Sequence, residues 1–218
     1  MVTVASRTRS VRGRTRPVAR RTVENELRRC GFSRIAGVDE VGRGSLAGPV
    51  VAAAVILPPG DGLVGLRDSK LLSAAARDRL YEEILTVCVS WSVGVGDPEA
   101  IDRLNIHHAS LVAMRTAVTG LAPLPDFALV DAFRIPGLFI PQRGIVGGDR
   151  RCAGVAAASI VAKVFRDRLM IKLHRADPRY GFDRHKGYGT ADHLTALAKH
   201  GYSPAHRRSF RPTALFDT

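Results

Sequence analysis

The stretch IAGVDEVGRG at residues 35–44 decides both the fold and the chemistry predicted for this chain. Apolar residues before Asp39 and Glu40 predict a buried strand, and the run PVVAAAVIL at 49–57 predicts a second one. Unpaired carboxylates are costly to bury, so a cation is expected beside the two acids. Because carboxylates are hard oxygen ligands and the segment has no cysteine, that cation is predicted to be magnesium or manganese rather than zinc.

The same two acids have a second interpretation, in which they form structural ion pairs with Arg34 or Arg43 and the glycines only shape a tight turn. Successive side chains on a strand face opposite sides. Both acids can therefore serve one site only at a strand end, a bulge or a sheet edge, and the glycines that follow favour such an irregularity. The local pattern leaves both interpretations open.

Hydrophobic periodicity predicts alternating helices and strands along the rest of the chain. The order of two strands first, then helix and strand in alternation, indicates an α/β domain. From about residue 175 onward, frequent Gly, Pro, His and Arg predict a small helical appendage. The predicted helices are 73–86, 98–118 with a break near Asn105, 153–174 and 190–200, and the predicted strands are 87–95, 127–130 and 143–146.

The net charge of +13 is unevenly distributed over the 218 residues. Residues 1–29 contain nine arginines and two glutamates, and the remainder, 30–218, is also basic. We interpret 1–29 as a disordered basic arm that ends in a short helix through Val23, Leu27 and Cys30, although its composition also permits an organelle transit peptide. Residues 30–218 are predicted to be one catalytic domain. A basic surface modestly favours an anionic polymer such as nucleic acid as the partner.

Cysteine usage and hydropathy predict the compartment. Cys30, Cys88 and Cys152 are odd in number and widely spaced, as is typical of reduced thiols in the cytoplasm. No apolar run reaches the roughly 20 residues that span a bilayer, and the N-terminus lacks the apolar core of a secretory signal. The histidines show no zinc spacing and are interpreted as surface or hydrogen-bonded groups. We expect a cytoplasmic protein, a monomer, with no membrane association.

The segment at 37–44 resembles the signature of the type 2 ribonuclease H family, specifically the bacterial HII type. The Gly42-Arg43-Gly44 turn differs from the Gly-Thr-Gly that is usual in the HIII type, and Ala132 stands where many relatives have glycine. The resemblance extends from about residue 35 to 212. The further segments that resemble family motifs are 68–73, 101–106, 129–131, 148–149, 156–167, 185–190 and 208–212.

This resemblance implies a ribonuclease H-like mixed sheet flanked by helices. It also implies that Asp39, Glu40, Asp131 and Asp149 are the catalytic and metal-binding carboxylates, holding two Mn²⁺ or Mg²⁺ ions when substrate is bound, with Asp39 between the ions. Asp131 follows a buried run, and Asp149 follows two glycines ahead of a helix, which are suitable positions for site residues in an α/β sheet. Each of these two could instead cap a helix or form a turn.

For the substrate, the resemblance implies that Gly42, Arg43 and Gly44 grip a ribonucleotide at an RNA to DNA junction and that Tyr188 packs on the adjacent deoxyribose. Recognition of RNA must depend on the 2'-hydroxyl. Tyr188 could equally be an interfacial tyrosine in a glycine-rich loop. The candidate phosphate contacts, each of which could also be an ordinary surface charge, are Lys70, Lys163, Lys186 and Arg211.

The implied activity is hydrolysis of the RNA strand of RNA/DNA hybrids and incision 5' to single ribonucleotides in duplex DNA by two-metal-ion catalysis. The products would carry 3'-hydroxyl and 5'-phosphate ends, in the service of ribonucleotide excision repair and DNA replication. Two alternatives stay open. One is another two-metal nuclease of the same fold, which needs the acids but no reader of the 2'-hydroxyl, and the other is a non-catalytic protein that binds duplexes through its basic surface.

Overall fold

The computed structural model describes residues 19, 21–60, 63, 65–66 and 69–210 of the chain. The described part contains one mixed sheet, with helices on both faces and two short 3-10 helices at Ser69–Leu71 and Pro178–Tyr180. The strands are β1 (Ile35–Val41), β2 (Val50–Ile56), β3 (Ser90–Gly96), β4 (Phe127–Asp131) and β5 (Gln142–Ile145). The helices are α1 (Thr22–Arg29), α2 (Ala74–Val87), α3 (Pro98–Thr119), α4 (Gly148–Arg151), α5 (Ala153–Ala176), α6 (Phe182–His185) and α7 (Ala191–His200).

Strand β1 lies in the middle of the sheet, whose order is β3-β2-β1-β4-β5. Strand β2 pairs antiparallel with both β1 and β3, whereas β4 pairs parallel with both β1 and β5. Central strands covered on both faces are expected to be apolar throughout. All seven residues of β2, sequence VVAAAVI, are indeed buried. The predicted α/β fold with a mixed sheet and flanking helices is confirmed.

Helices α2 and α5 cover one face of the sheet, and α3 covers the other. The N-terminal part of α5 approaches β1 very closely, because a Cβ on Gly37 would collide with the backbone of Gly154. A glycine at this position therefore sets the distance between the central strand and the longest helix of the described chain. Helix α1 packs beside this contact, and the buried carboxylate of its Glu24 accepts a hydrogen bond from Gly154 N at 2.9 Å.

The third strand differs in detail from the prediction. The alternation of valines and Trp91 was expected to start the strand at residue 87, but Val87 completes α2 and the strand begins at Ser90. On β3 it is Gly94 that is buried, because α3 packs against it through the carbonyl of Ala113, while Val95 is 49% exposed. Glycines permit that close helix contact, and the valine face therefore turns partly toward solvent.

The break expected in the long helix is confirmed at Asn105, which has φ 64° inside α3. Its side-chain oxygen accepts hydrogen bonds from the backbone N–H groups of His107 and His108, at 2.9 and 3.1 Å. Asn105 therefore acts as an internal cap that restarts the helix. Ser73 and Thr190, where two of the predicted helices start, accept backbone hydrogen bonds as the N-caps of α2 and α7.

The C-terminal part after α5 is helical, as predicted, and consists of Pro178–Tyr180, α6 and α7. Tyr180 and Phe182 pack against Met170 of α5 and Ala47, so this appendage lies against the loop that connects β1 and β2. An isolated bridge between Ala47 and His206 adds a backbone connection. In the described ranges, no helix is both long and apolar enough to cross a membrane.

Candidate active site

The candidate site begins where β1 and β4 separate. Their parallel pairing ends at Val38 and Val130. Asp39 and Glu40 lie beyond this point and pair only with β2, through Ala53 and Ala52. From Asp39 onward β1 is thus a local edge of the sheet, one of the settings in which two adjacent acids can serve one site.

Asp131 is the last residue of β4 and lies at the same end of the sheet. Its Oδ1 accepts a hydrogen bond from Gly148 N at 2.8 Å, which ties the strand to the start of α4. Asp149 is the next residue of α4 and is 8% exposed. Gly147, at φ 65°, makes the turn into this short helix. Two acids that are distant in sequence therefore lie close together.

Electrostatics shows that the four carboxylates share one environment. Burial raises the pKa of Asp39 well above its ordinary value, and Glu40, Asp131 and Asp149 raise it further. Burial also raises the pKa of Glu40 to about 7, against the opposing effect of Arg43. Carboxylates that raise the pKa of a neighbouring carboxyl in this way are close enough to repel it. The structure thus brings together the four acids singled out from the sequence.

Part of the structural ion-pair interpretation is also present in the structure. Arg43 Nε lies 3.7 Å from Glu40 Oε1, and the Arg43 guanidinium lies 5.1 Å from the centre of the Phe133 ring. Arg34 pairs instead with Asp126 at the opposite end of β1. Arg150 Nε also lies 3.9 Å from Asp149 Oδ1, but these two contacts do not neutralise four acids. Glu40 Oε2 remains buried with no hydrogen-bond partner among the described residues.

The donor set suits a hard divalent cation, because it consists of carboxylate oxygens in a partly buried setting. The orphaned Glu40 Oε2 and the raised pKa of Asp39 both indicate that positive charge is missing from this cluster. Within the described ranges, however, no group of three or more His, Cys, Asp or Glu side chains already has the arrangement that holds an ion. Among the described residues the carboxylates are therefore gathered but do not form a closed cage.

The Gly42–Gly44 turn follows β1 directly and borders the acids. Gly42 has φ 91° and packs against the side chain of Arg166, so a side chain at position 42 would be both strained and blocked. Gly44 is exposed, and no heavy atom lies within 4 Å of where its Cβ would be. The turn is therefore closed toward the protein and open toward solvent, as a surface that receives a ligand must be.

Tyr188 lies in the loop between α6 and α7 and is 37% exposed. Its backbone carbonyl accepts hydrogen bonds from His193 Nδ1 at 2.9 Å and Thr190 N at 2.8 Å. The Arg166 guanidinium lies 5.7 Å from the centre of its ring. The loop is joined to the β1–β2 connection, because Gly187 O accepts from Leu46 N at 2.8 Å. Tyr188 is thus held near the turn with part of its ring accessible.

The basic residues predicted to contact phosphates have different settings. Lys70 is exposed and close enough to Glu40 to oppose the rise of its pKa. Lys163 pairs with Asp167 one helical turn away, at 2.7 Å. Lys186 donates to the backbone carbonyl of Asp183 and adopts φ 53°. Arg211 lies outside the described residues.

Sequence analysis assigned no role to several buried groups behind the turn. Arg166 and Arg207 have no exposed surface, and both donate to backbone carbonyls near the turn. Arg166 stands directly before Asp167 and Arg168 in α5, so its sequence neighbours do not mark it as buried. Position 207 stands in an arginine pair, and its sequence neighbours give no indication that its side chain is buried. His193 and His206 are buried and hydrogen-bonded to each other at 3.1 Å, in agreement with their interpretation as structural histidines.

Comparison with known proteins agrees with this geometry. The family model described as ribonuclease HII matches residues 36–213. The chain belongs to the ribonuclease HII family. The ribonuclease HII of Desulfitobacterium hafniense is 52% identical over 189 residues, which cover 87% of this chain and 73% of that protein. The enzyme is accordingly a ribonuclease H of type 2, a metal-dependent hydrolase, as the resemblance implied.

Solved structures show the same fold at lower identity. The ribonuclease H2 of Pyrococcus horikoshii OT3 superposes with a TM-score of 0.69 at 24% identity, covering 82% of this chain and 94% of that one. Bst-RNase HIII, solved in complex with Mn²⁺, gives 0.59 at 22% identity, covering 78% of this chain and 71% of that one. Membership of the ribonuclease HII family together with the fold supports hydrolysis of the RNA strand of RNA/DNA hybrids.

Proposed function

We propose that this ribonuclease HII family member incises duplex DNA 5' to single embedded ribonucleotides, besides cutting the RNA strand of hybrids, and leaves 3'-hydroxyl and 5'-phosphate ends. The observation that carries the proposal is the position of the Gly42–Gly44 turn, which follows Asp39 and Glu40 within the same few residues. Groups suited to hydrolysis and an open turn suited to contact a sugar thus lie side by side at one end of the sheet.

Asp39, Glu40, Asp131 and Asp149 are proposed to hold two Mn²⁺ or Mg²⁺ ions. When bound, such ions activate a water molecule and stabilise the departing 3'-oxygen. The chain's contribution is to fix the carboxylates, through the strand ends and the Gly148 N–H bond to Asp131. Phosphate oxygens of the substrate would supply the ligands that the four side chains lack, consistent with their open arrangement.

The preference for a ribonucleotide is proposed to depend on backbone groups of the turn. Gly44 leaves open space at its Cα, so a sugar can approach the main chain there. Tyr188 offers an accessible ring face for the neighbouring deoxyribose. Lys70 is positioned near Glu40 and is the best placed of the proposed phosphate contacts, with Lys163, Lys186 and Arg211 as further candidates.

The corresponding role in the cell is removal of misincorporated ribonucleotides and primer remnants. We propose that the protein acts in the cytoplasm as a monomer, consistent with its three free cysteine thiols. The basic arm at 1–29 is proposed to precede a catalytic domain at 30–218. An arm with nine arginines would increase affinity for nucleic acid in a salt-dependent way.

The test is cleavage of a DNA duplex that contains one ribonucleotide, with Mn²⁺, Mg²⁺ or chelator, by wild type and by Asp39→Asn. An all-DNA duplex of the same sequence is the control. We expect metal-dependent incision 5' to the ribonucleotide, little cutting of the control, and loss of activity in the variant. Equal cutting of both duplexes would instead indicate a general two-metal nuclease. Tight binding with no incision would contradict the proposed activity.

A further inference from the structure

Arg207 lies behind the Gly42–Gly44 turn and is bonded directly to its backbone. Its Nη2 donates to Gly42 O at 2.7 Å, and its Nη1 donates to Arg43 O at 3.0 Å. Its Nε donates to Gly48 O at 3.0 Å, so the guanidinium spans the turn and the start of β2. Two consecutive carbonyls of the turn are therefore fixed by one side chain.

Arg166 forms the second half of this arrangement. It donates to Pro49 O at 2.8 Å, to Ala47 O at 3.1 Å and to Lys186 O at 2.9 Å. The last of these bonds reaches the segment just before Tyr188. The two arginines together hold the turn and the tyrosine loop in one backbone frame.

Burying the charged guanidiniums of Arg166 and Arg207 costs free energy, and packing alone does not explain why charged groups occupy these positions. Burial lowers the pKa of Arg207 to about 9, with neighbouring Arg166 as the second cause. Apolar residues of similar volume often replace buried charges without loss of stability. The two buried guanidiniums, which bind backbone carbonyls, are therefore better explained by a role in positioning the backbone than by packing.

The direction of the N–H groups in the turn follows from the planarity of the peptide group. In a trans peptide, the carbonyl of one residue and the N–H of the next point in opposite directions. Because the carbonyls of Gly42 and Arg43 point inward to Arg207, the N–H groups of Arg43 and Gly44 point away from it. Gly44 is exposed and borders open space at its Cα, on the part of the turn where a ligand can approach the main chain.

Arg207 is itself held in place from α3. Asp102 accepts hydrogen bonds from Arg208 N at 2.9 Å and from Ser209 N at 2.8 Å, and Arg207 N donates to Leu46 O at 2.9 Å. The guanidinium also lies 5.1 Å from the centre of the Phe210 ring. Its orientation is set by the fold before any substrate binds.

We propose that Arg207 is a positioning residue for sugar selection: by fixing the carbonyls of Gly42 and Arg43, it aims the amides of the turn at the 2'-hydroxyl oxygen. This inference rests on the proposed function, in which the turn contacts the ribonucleotide. Arg207 itself touches neither the sugar nor the reacting phosphate. Substitution of Arg207 should therefore abolish the difference in affinity between duplexes that contain ribose and deoxyribose at this position, and duplex binding itself should persist.

The experiment compares the affinities of wild type, Arg207→Met and Arg207→Lys for two duplexes that differ by one 2'-hydroxyl, with Ca²⁺ as the divalent ion. The readout is the ratio of the two dissociation constants, which does not depend on the fraction of folded protein. We expect wild type to prefer the ribonucleotide and the Met variant to bring the ratio to within about twofold of one, because amides that are no longer aligned lose their hydrogen bond to the 2'-hydroxyl. The Lys variant should be intermediate and tests the inference if the Met variant fails to fold.

Arg34→Met is the matched control, because Arg34 Nε also donates to a backbone carbonyl, that of Leu124 at 2.8 Å, but at the far end of β1. The wild-type ratio should persist in this variant. An unchanged ratio in the Arg207 variants, or an equal loss in Arg34→Met, would overturn the inference and leave the proposed function intact. A wild type that binds both duplexes equally would overturn the proposed function itself.

Discussion

Asp39 and Asp131 occupy equivalent positions on neighbouring parallel strands, each directly after the last paired residues, Val38 and Val130. The same end of the sheet receives both carboxylates because β1 and β4 run in the same direction. The α4 segment then adds Asp149 through the Gly148 N–H bond to Asp131. Topology, rather than proximity in sequence, assembles the acidic cluster.

Asp39→Asn should raise stability and lower activity. Removing one buried negative charge from a repulsive cluster should raise the free energy of unfolding in chelator by about 1 kcal/mol or more. Incision should fall by about 10³-fold or more, because several kcal/mol of electrostatic stabilisation of the transition state are lost. Urea unfolding in chelator and single-ribonucleotide cleavage measure the two effects.

Asp126→Asn is the matched control for this experiment. Asp126 lies at the other end of β1 and accepts hydrogen bonds from the backbone of Ser33 and Arg34. Its substitution should lower stability by about 1 kcal/mol and leave incision unchanged. A stabilised Asp126→Asn, or a destabilised Asp39→Asn, would contradict the description of the cluster as a site of charge repulsion.

Gly37→Ala should destabilise the protein strongly. The added Cβ would overlap the backbone of Gly154, which cannot move without shifting the start of α5. Overpacking of this kind costs about 1–3 kcal/mol. Thermal unfolding checks the prediction, and a melting temperature equal to that of wild type would show that α5 can retreat from β1 freely.

Gly44→Ala should lower activity and leave stability nearly unchanged. Its Cβ would meet no atom within 4 Å, so the free energy of unfolding should stay within about 0.5 kcal/mol of wild type. Incision at a single ribonucleotide should nevertheless fall by about tenfold or more, because the methyl group occupies the space proposed for the sugar. Full activity in a stable Gly44→Ala would exclude a close approach of substrate at this residue.

Ala132→Gly should stabilise the protein. Ala132 has φ 57°, a left-handed conformation that is unfavourable for alanine and accessible to glycine. Relief of this strain, less the greater flexibility of glycine in the unfolded chain, should add about 0.5–1 kcal/mol. Chemical denaturation measures the change, with Ala205→Gly as a comparison outside the left-handed region. Destabilisation would mean that the alanine methyl group makes a compensating contact.

Acid should weaken the C-terminal appendage through its histidines. Burial and, as the second cause, His193 beside it lower the pKa of His206 to about 4. The unfolded state, with an ordinary histidine pKa of about 6.5, then binds more protons than the folded state. Stability should be fully present above pH about 6.5 and decline as the pH falls toward 4. Unfolding free energies at several pH values, compared with those of His206→Gln, check this, and an unchanged slope in the variant would contradict it.

The sequence was sufficient to predict the elements whose signals are local. The apolar run of β2, the cap at Ser73 and the break at Asn105 each depend on neighbouring residues. The face of β3 was harder to predict, because Gly94 is buried only through the approach of α3, which contributes no signal to the strand itself. Local hydrophobicity does not report such contacts.

The candidate site likewise contains residues that the sequence indicated and one that it did not. The acids were indicated by their position after apolar strands and by the resemblance of several segments to one family. Arg207 carried no such signal, since its partners Gly42 and Arg43 are more than 160 residues away in the chain, at sequence separations of 165 and 164. The contacts that hold the turn in place join residues distant in the chain, and a single sequence does not reveal them.

The pairing of Arg207 with the turn also has a consequence for synthesis. A nascent chain that has emerged only as far as α5 already contains every carboxylate of the cluster, but not the side chain that aligns the turn beside them. The hydrolytic groups are therefore all synthesised well before the segment that carries Arg207. Discrimination between sugars would be acquired later in synthesis than the groups that carry out hydrolysis.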